Sequence, residues 1–374
     1  MLKRFQLIAH GTLGLILFVL GSCGRGDAPR QIDSPAGLPV IDELNRKIAK
    51  APSDIELLQL RCETFARQNR FADAVKDAEK ILSLDSTRLA SYRNLANMYF
   101  DNNESRPAMK TLERGINRFA HVEDEEVQRN VYHCMLMLIE MQVITQQYKE
   151  AMLTTDNLLE QNPYMPEAIM WKAQIFEELG DTTAAVSHYA KVVDLDADHK
   201  EANIKLGLLA SKLGKPIAVA YFKNVLRIDS MDLTAMKEIA WFYHKQGALE
   251  KATKWYEKAI IRHHQEPEPA YNYALLCLEQ GDKMAKLNKN EAQEWYRKAY
   301  RHMDITAKVE PTFGEAYFYR GKASERMGNL KAALKDYDQT LVFESGLKAI
   351  DVETVRSTLE SVKKTLAERE LPRD

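Results

Sequence analysis

Residues that could carry out chemistry are few in this chain. The only adjacent histidines are His263 and His264, and neighbouring side chains on a helix point about 100° apart, so they make poor joint metal ligands. The sequence contains no Gly-rich phosphate loop, no nucleophile elbow and no His-Glu-x-x-His zinc motif. The sequence therefore predicts no catalytic site, no metal site and no cofactor. We do not expect an enzyme.

Cys23 is the residue whose surroundings indicate a specific reaction. It follows Leu20-Gly21-Ser22, an apolar stretch at residues 7–20 and a positive head of Lys3 and Arg4. This arrangement resembles the signal peptide and lipobox of bacterial lipoproteins, in which a peptidase cuts before the cysteine and the thiol is acylated. The apolar stretch is shorter than the roughly 20 residues that a membrane-spanning helix needs. An ordinary secretory signal followed by an incidental cysteine is the alternative.

The lipoprotein resemblance implies a signal peptide at residues 1–22, a lipid on Cys23 and a location in the cell envelope. Gly24 follows the cysteine, where many lipoproteins kept in the inner membrane carry Asp, so we expect the outer membrane, facing the periplasm. Residues 23–39 are rich in Gly, Pro and charge, which predicts a flexible tether. The formal net charge of -2 gives no general attraction to nucleic acid.

A repeated pattern accounts for most of the remaining chain. Aligned units of helix A, turn and helix B start at residues 55, 89, 132, 166, 200, 233, 267 and 314. An alanine recurs early in helix B, where the two helices must approach closely and bulk would overpack the contact. These alanines are Ala74, Ala108, Ala151, Ala185, Ala218, Ala252, Ala299 and Ala333.

Two further positions repeat with the alanine. An aromatic residue lies four residues after it, one helical turn on, as Tyr189, Phe222, Tyr256 and Tyr337. A residue that tolerates a left-handed conformation stands at the turn between the helices. These turn residues are Asn69, Asn103, Gly180, Gly214, Gly247, Gly281 and Gly328.

This pattern resembles the tetratricopeptide repeat family over residues 55–345. The resemblance implies an all-α fold, a right-handed superhelical solenoid of about eight helix-turn-helix repeats within residues 40–374. Residues 40–52 predict a cap helix at the N-terminal end. Residues 346–370 show helical spacing of apolar residues and predict a capping helix at the C-terminal end.

Two units depart from the pattern. The third unit lacks a turn glycine, and its start is delayed by an acidic stretch at residues 123–126. The seventh unit carries extra residues after Gly281, and we expect part of them to lengthen its helix B.

In the tetratricopeptide family, helix A of each unit lines a concave groove. The resemblance therefore implies a partner-binding groove, and exposed apolar residues in one strip favour a peptide or helix as ligand. Some of these side chains could instead pack between helices as core. The predicted groove residues are Met170, Ile204, Leu208, Lys237, Trp241, Tyr271, Asn272, Phe318 and Lys322.

The resemblances favour a lipid-anchored scaffold or adaptor of the cell envelope that binds a partner protein of unknown identity. Pilus or secretin assembly, outer-membrane protein insertion and control of cell-wall enzymes all remain open. The alternative is peptidoglycan or polysaccharide binding, with Trp241, Tyr271 and Phe318 as stacking platforms. Such a site would need carboxylates or amides beside the aromatic rings.

Replacing Cys23 with Ser should release the protein from the membrane fraction, because the acyl chains would have no thiol to carry them. The measurement is fractionation with a carbonate wash, followed by immunoblotting of both fractions. A Cys23→Ser variant that stays in the washed membranes would contradict the lipoprotein hypothesis.

Overall fold

The computed structural model describes residues 37–370, and within that range all regular secondary structure is helical. Cys23, the predicted signal peptide and most of the predicted tether lie outside the described residues. The described chain forms two compact units, with their boundary between Ala202 and Asn203. No helix among residues 37–370 is long and apolar enough to cross a membrane.

The first unit contains a cap helix and four helical hairpins, each made of a helix A and a helix B. Its helices are α1 (Gly37–Lys50), α2 (Ile55–Arg67), α3 (Phe71–Leu84), α4 (Leu89–Asp101), α5 (Ser105–Phe119), α6 (Glu125–Ile144), α7 (Tyr148–Gln161), α8 (Pro166–Glu178) and α9 (Thr182–Leu195).

The second unit contains four further hairpins and a terminal helix, and the boundary falls within its first helix. Its helices are α10 (Lys200–Lys212), α11 (Ala218–Ile228), α12 (Leu233–Lys245), α13 (Leu249–Arg262), α14 (Pro267–Met284), α15 (Lys289–Val309), α16 (Gly314–Arg326), α17 (Leu330–Val342) and α18 (Val352–Glu370).

The predicted repeat register is confirmed at seven of the eight units, whose predicted first residue is the first residue of a helix A. All eight aligned alanines are buried, and so are the four aromatic residues that follow them. The helices of a hairpin come very close at these positions. A Cβ added to Gly207 would lie 2.6 Å from the Phe222 ring, and one added to Gly321 would lie 2.9 Å from the Tyr337 ring.

The turns between helices A and B use the left-handed backbone conformation, as the pattern predicts. Six of the seven predicted turn residues have positive φ: Asn69 (57°), Asn103 (62°), Gly180 (81°), Gly214 (65°), Gly247 (71°) and Gly328 (84°). Gln146, with φ 59°, takes the same place in the third unit, which has no glycine there.

The third unit differs from the prediction because its helix A starts at Glu125 instead of residue 132. The helix therefore begins within the acidic stretch, with Asp124 as its cap. The Asp124 carboxylate accepts hydrogen bonds from the backbone N–H groups of Glu126 and Val127, at 3.0 and 2.9 Å. An aspartate cap and acidic residues in the first turn stabilise a helix N-terminus through unsatisfied N–H groups and the helix dipole.

The seventh unit corrects the prediction at Gly281, which lies buried inside α14 and forms no turn. A Cβ there would lie 2.4 Å from the Tyr296 ring, so this glycine allows the same close approach as Gly207. Tyr296 follows Ala292 by four residues, and Ala292 is buried like the aligned alanines. The extra residues therefore lengthen both helices of the hairpin, whereas lengthening was predicted for helix B alone.

A helix lies at each end of the repeats. α1 buries Ile41, Leu44 and Ile48. α18 packs Val355, Leu359 and Val362 into a cluster that also contains Phe318 and Tyr337.

Ala252→Leu should lower the free energy of unfolding by about 1–3 kcal/mol, because the fully buried alanine has no room for a larger side chain. Ala220→Leu, at an exposed position of α11, is the matched control and should change it by less than about 0.5 kcal/mol. Urea denaturation followed by circular dichroism measures both. Equal midpoints for Ala252→Leu and the wild type would contradict the helix register.

His302 makes stability depend on pH. Burial, together with the nearby charges of Arg301 and Lys298, lowers the pKa of its imidazole to about 4. The unfolded chain therefore binds a proton near pH 6.5 that the folded chain does not bind, so stability falls as pH drops from about 6.5 towards 4.

The free energy of unfolding of the wild type should be higher at pH 7 than at pH 5, and His302→Gln should make that difference smaller by about 1–2 kcal/mol. This range includes a discount because solvent screens the exposed part of the ring. The measurement is urea denaturation at both pH values. His264→Gln, at an exposed side chain, is the control and should keep the wild-type difference. A His302→Gln variant with that same difference would show that His302 is not the titrating group.

Candidate partner-binding face

Three of the nine predicted groove residues are buried, and the structure corrects the prediction for them. The exposed fraction is 5% for Met170, 1% for Tyr271 and 3% for Phe318. These side chains are core residues in this structure, as the alternative interpretation of the pattern allowed. They offer no surface to a partner.

Neighbouring aromatic residues cover the two buried rings. The Tyr271 ring lies 5.0 Å from Phe313 and 5.9 Å from Tyr319. The Phe318 ring lies 5.5 Å from Tyr337 and packs in the cluster formed with α18. Because large aromatic side chains gain most from full burial, such mutual covering stabilises the core.

The other six predicted residues are half-buried, and three of them share one position. Leu208, Trp241 and Lys322 are each the ninth residue of a helix A, and Leu275 takes that place in α14. We call these four residues the ninth-position row. All four retain partial exposure.

Contacts join the successive A helices of the second unit that carry the row. Leu208 packs against the core cluster that includes Ala235 and Ile239 of α12. Lys237 of α12 pairs with Glu268 of α14. Asp282 of α14 pairs with Arg326 of α16 at 2.8 Å.

Trp241 lies between two polar bridges from α12 to α14. Lys237 pairs with Glu268 one helical turn before it, and His244 Nε2 lies 2.9 Å from Glu279 Oε2 almost one turn after it. The His244 ring also meets the indole edge-on, with centroids 5.3 Å apart. Burial lowers the pKa of His244, so at neutral pH its uncharged ring helps to hold the indole in place.

The pairing of Lys237 reduces the positive charge that the predicted groove residues offer to a ligand. Lys237 is one of those residues, and the Glu268 carboxylate neutralises it. The sequence analysis did not predict that Glu268 pairs with Lys237. The position of Glu268, second in the helix A that follows Lys237, could have indicated the pair. Lys322 keeps an unpaired charge among the described residues, and its Nζ lies 5.3 Å from the centroid of the Phe318 ring.

Asn272 is half-buried on α14. It is an amide near the row, but Tyr271 and Phe318 are not available as the stacking platforms that the glycan hypothesis needed. Of the three proposed platforms, Trp241 alone retains exposed surface.

The cysteines in the described residues are buried thiols. Burial raises the pKa of Cys62 and Cys134 to about 11 and that of Cys277 to about 12. They are therefore protonated at neutral pH and are poor nucleophiles and metal ligands. Within residues 37–370 no group of histidine, cysteine and acidic side chains could hold a metal ion.

Comparison with known families supports the repeat assignment. A family model described as tetratricopeptide repeat matches residues 166–199 and 238–260. No curated protein matches the sequence.

Solved structures that resemble this chain are also repeat proteins. The C-terminal part of a TPR repeat-containing protein from Cytophaga hutchinsonii has a TM-score of 0.51 and 15% identity, covering 68% of this chain and 96% of that one. A tetratricopeptide repeat protein from Parabacteroides merdae has a TM-score of 0.46 and 15% identity, covering 74% and 98%. At such identities the Cytophaga likeness shows the fold alone.

Proposed function

Because the chain carries tetratricopeptide repeats, we propose that it is a protein-interaction scaffold that binds a partner polypeptide along the ninth-position row of its second unit. The observation that carries this proposal is the partial exposure of Leu208, Trp241 and Leu275 on successive A helices. Aromatic and aliphatic side chains held in one strip are the usual anchor surface for a peptide or an amphipathic helix.

The row also indicates the chemistry of the partner segment. Three of its residues are apolar, and Lys322 supplies a positive charge at its end. Lys237 is already neutralised by Glu268, so it does not add to that charge. We expect a mostly apolar segment with an acidic residue that reaches Lys322.

The proposal includes the cell envelope as the place of action. It rests on the lipobox resemblance at Cys23, which would attach the protein by a lipid, and on Gly24, which favours the outer membrane with the protein facing the periplasm. The tether after Cys23 would keep the repeats close to the membrane. The Cys23→Ser fractionation tests this part independently of partner binding.

Peptidoglycan or polysaccharide binding is less well supported. Sugar stacking needs exposed ring faces, and the burial of Tyr271 and Phe318 leaves one of the three proposed rings. The acidic groups near that ring, Glu268 and Glu279, are engaged by Lys237 and His244.

Trp241→Ala should weaken partner binding by about 1–3 kcal/mol, because a rigid indole held between two polar bridges resembles a binding hot spot. The experiment captures proteins from detergent-solubilised envelopes on the immobilised wild type and identifies them by mass spectrometry. Each candidate is then titrated against the wild type and Trp241→Ala.

Two controls separate binding from folding. Trp255→Ala removes a half-buried indole from helix α13, outside the row, and should leave the affinity unchanged. Phe318→Ala should lower the free energy of unfolding by about 3–5 kcal/mol, because it empties a core position. A partner that binds wild type and Trp241→Ala equally would place the binding surface elsewhere.

A further inference from the structure

Helix α5, a helix B of the first unit, exposes a row of positive side chains. Arg106, Lys110, Arg114 and Arg118 follow one another at intervals of four residues, and all four are exposed. Because four residues make slightly more than one helical turn, the four lie within about 120° of the helix circumference and span about 18 Å of its axis. The opposite side of α5 is buried in the unit. We call these four residues the α5 cation row.

The α5 cation row has no acidic partner in the described part of the chain. None of its four side chains makes an ion pair or a hydrogen bond with another residue there. Arg114 lies 5.9 Å from the centroid of the Tyr92 ring and remains exposed. Glu113 is the one acidic residue of α5, and it is exposed without an ion pair as well.

The row lowers the stability of its own helix. Like charges four residues apart repel each other, and the row contains three such pairs. Arg106 also lies in a first turn that has no acidic side chain, where the positive end of the helix dipole opposes a cation. Other helices use the same spacing for opposite charges, as in Lys47 with Glu43 and Lys254 with Glu250. Folding therefore does not account for the row, whereas an external anion would offset its repulsion.

The surface around the row restricts the ligand. Every exposed residue of α5 is charged or an asparagine. The helix therefore offers no apolar anchor for a polypeptide and no ring on which a nucleic-acid base can stack. A fitting ligand presents several negative charges over about 18 Å of helix and needs no apolar contact. The headgroups of anionic phospholipids form such a surface.

The chain before the first unit also favours a membrane as the source of those charges. Gly37, the first residue of α1, follows Cys23 by fourteen residues, and fourteen residues span at most about 50 Å. Under the proposed lipid attachment, the first unit therefore stays close to a bilayer. Tethering of this kind raises the effective concentration of the surface, so that a weak electrostatic contact is enough to hold the unit there.

We propose that the α5 cation row binds the anionic headgroups of a phospholipid bilayer, so that this side of the first unit lies on the membrane. The local concentration rests on the proposed lipid anchor, whereas the charge complementarity does not. Electrostatic attraction falls off within about 8 Å at physiological ionic strength. The row itself therefore decides the contact, and the net charge of -2 of the whole chain does not.

The acidic residues after α5 limit the contact at one end. Glu123, Glu125 and Glu126 are exposed and follow Arg118 closely in the chain. Arg106 lies about 18 Å along the helix axis from Arg118, which is more than two screening lengths at physiological ionic strength. The N-terminal half of the row is therefore the part that the acidic residues oppose least.

The test measures binding of the unacylated mature chain, residues 24–374, to vesicles by co-sedimentation. This chain keeps every residue that the structure describes, and it needs no lipid on Cys23. Vesicles of equal parts phosphatidylcholine and phosphatidylglycerol are compared with vesicles of phosphatidylcholine alone. We expect a partition coefficient at least tenfold higher on the anionic vesicles at low salt. That preference should disappear at about 1 M salt, where charges are screened within about 3 Å.

Paired substitutions connect this preference to the row. Arg106→Gln with Lys110→Gln should lower the partition coefficient on anionic vesicles at least tenfold, because each cation near such a surface contributes roughly 1 kcal/mol, or about fivefold. Lys363→Gln with Lys364→Gln, at exposed positions of α18, changes the net charge equally and should keep the wild-type value. The α5 variant should melt no lower than the wild type, since it loses a repulsive pair.

Three results would overturn the proposal. One is equal partitioning of the wild type on both kinds of vesicle. Another is an unchanged preference in the folded α5 variant, or an equal loss in the α18 variant. The third is binding of poly-L-glutamate without binding of anionic vesicles, which would assign the row to an acidic polypeptide. The Cys23→Ser fractionation and the Trp241→Ala titration test the proposed function separately, so each can fail without the other.

Discussion

The close approach of two helices within each hairpin is the contact on which the rest of this structure depends. It requires a small residue on one helix facing a large ring on the other, as at Gly207 and Phe222, where an added Cβ would lie 2.6 Å from the ring. Interiors packed this tightly tolerate little change in volume. The alanines in helix B serve the same contact, and every one of them is buried. Fixing the two helices at this distance also fixes which positions of helix A face outward.

The extra residues of the third and seventh units do not disrupt this helix–helix contact, because they lengthen helices by whole turns. Seven residues make about two turns of a helix, so a helix lengthened by that amount presents the same face. In the seventh unit Gly281 lies seven residues after Ala274, and Ala292 lies seven residues before Ala299; all four are buried. In the third unit the start of α6 moves from residue 132 to Glu125, again by seven residues.

The sequence predicted what short-range patterns determine. Helix starts and turns follow from residues close together in the chain, and seven of eight helix A starts agree with the alignment. Gly281 was misassigned because glycine serves both a left-handed turn and a close helix contact, and the pattern alone does not distinguish them. The sequence left open whether the groove residues at the fifth position of helix A are buried, since burial there depends on side chains from other elements. Tyr271 is covered by Phe313, and Phe318 by the cluster that contains α18.

The same dependence on the next repeat decides which cations are available to a ligand. Lys237 and Lys322 are the two cations among the predicted groove residues. Glu268 neutralises Lys237, whereas Lys322 makes no ion pair within residues 37–370. A charge that is paired within the protein contributes rigidity, and one that is half-buried and unpaired gains from a ligand. Glu268, the second residue of α14, therefore makes Lys237 unavailable to an acid and leaves Lys322 as the cation of the predicted groove that a ligand can reach.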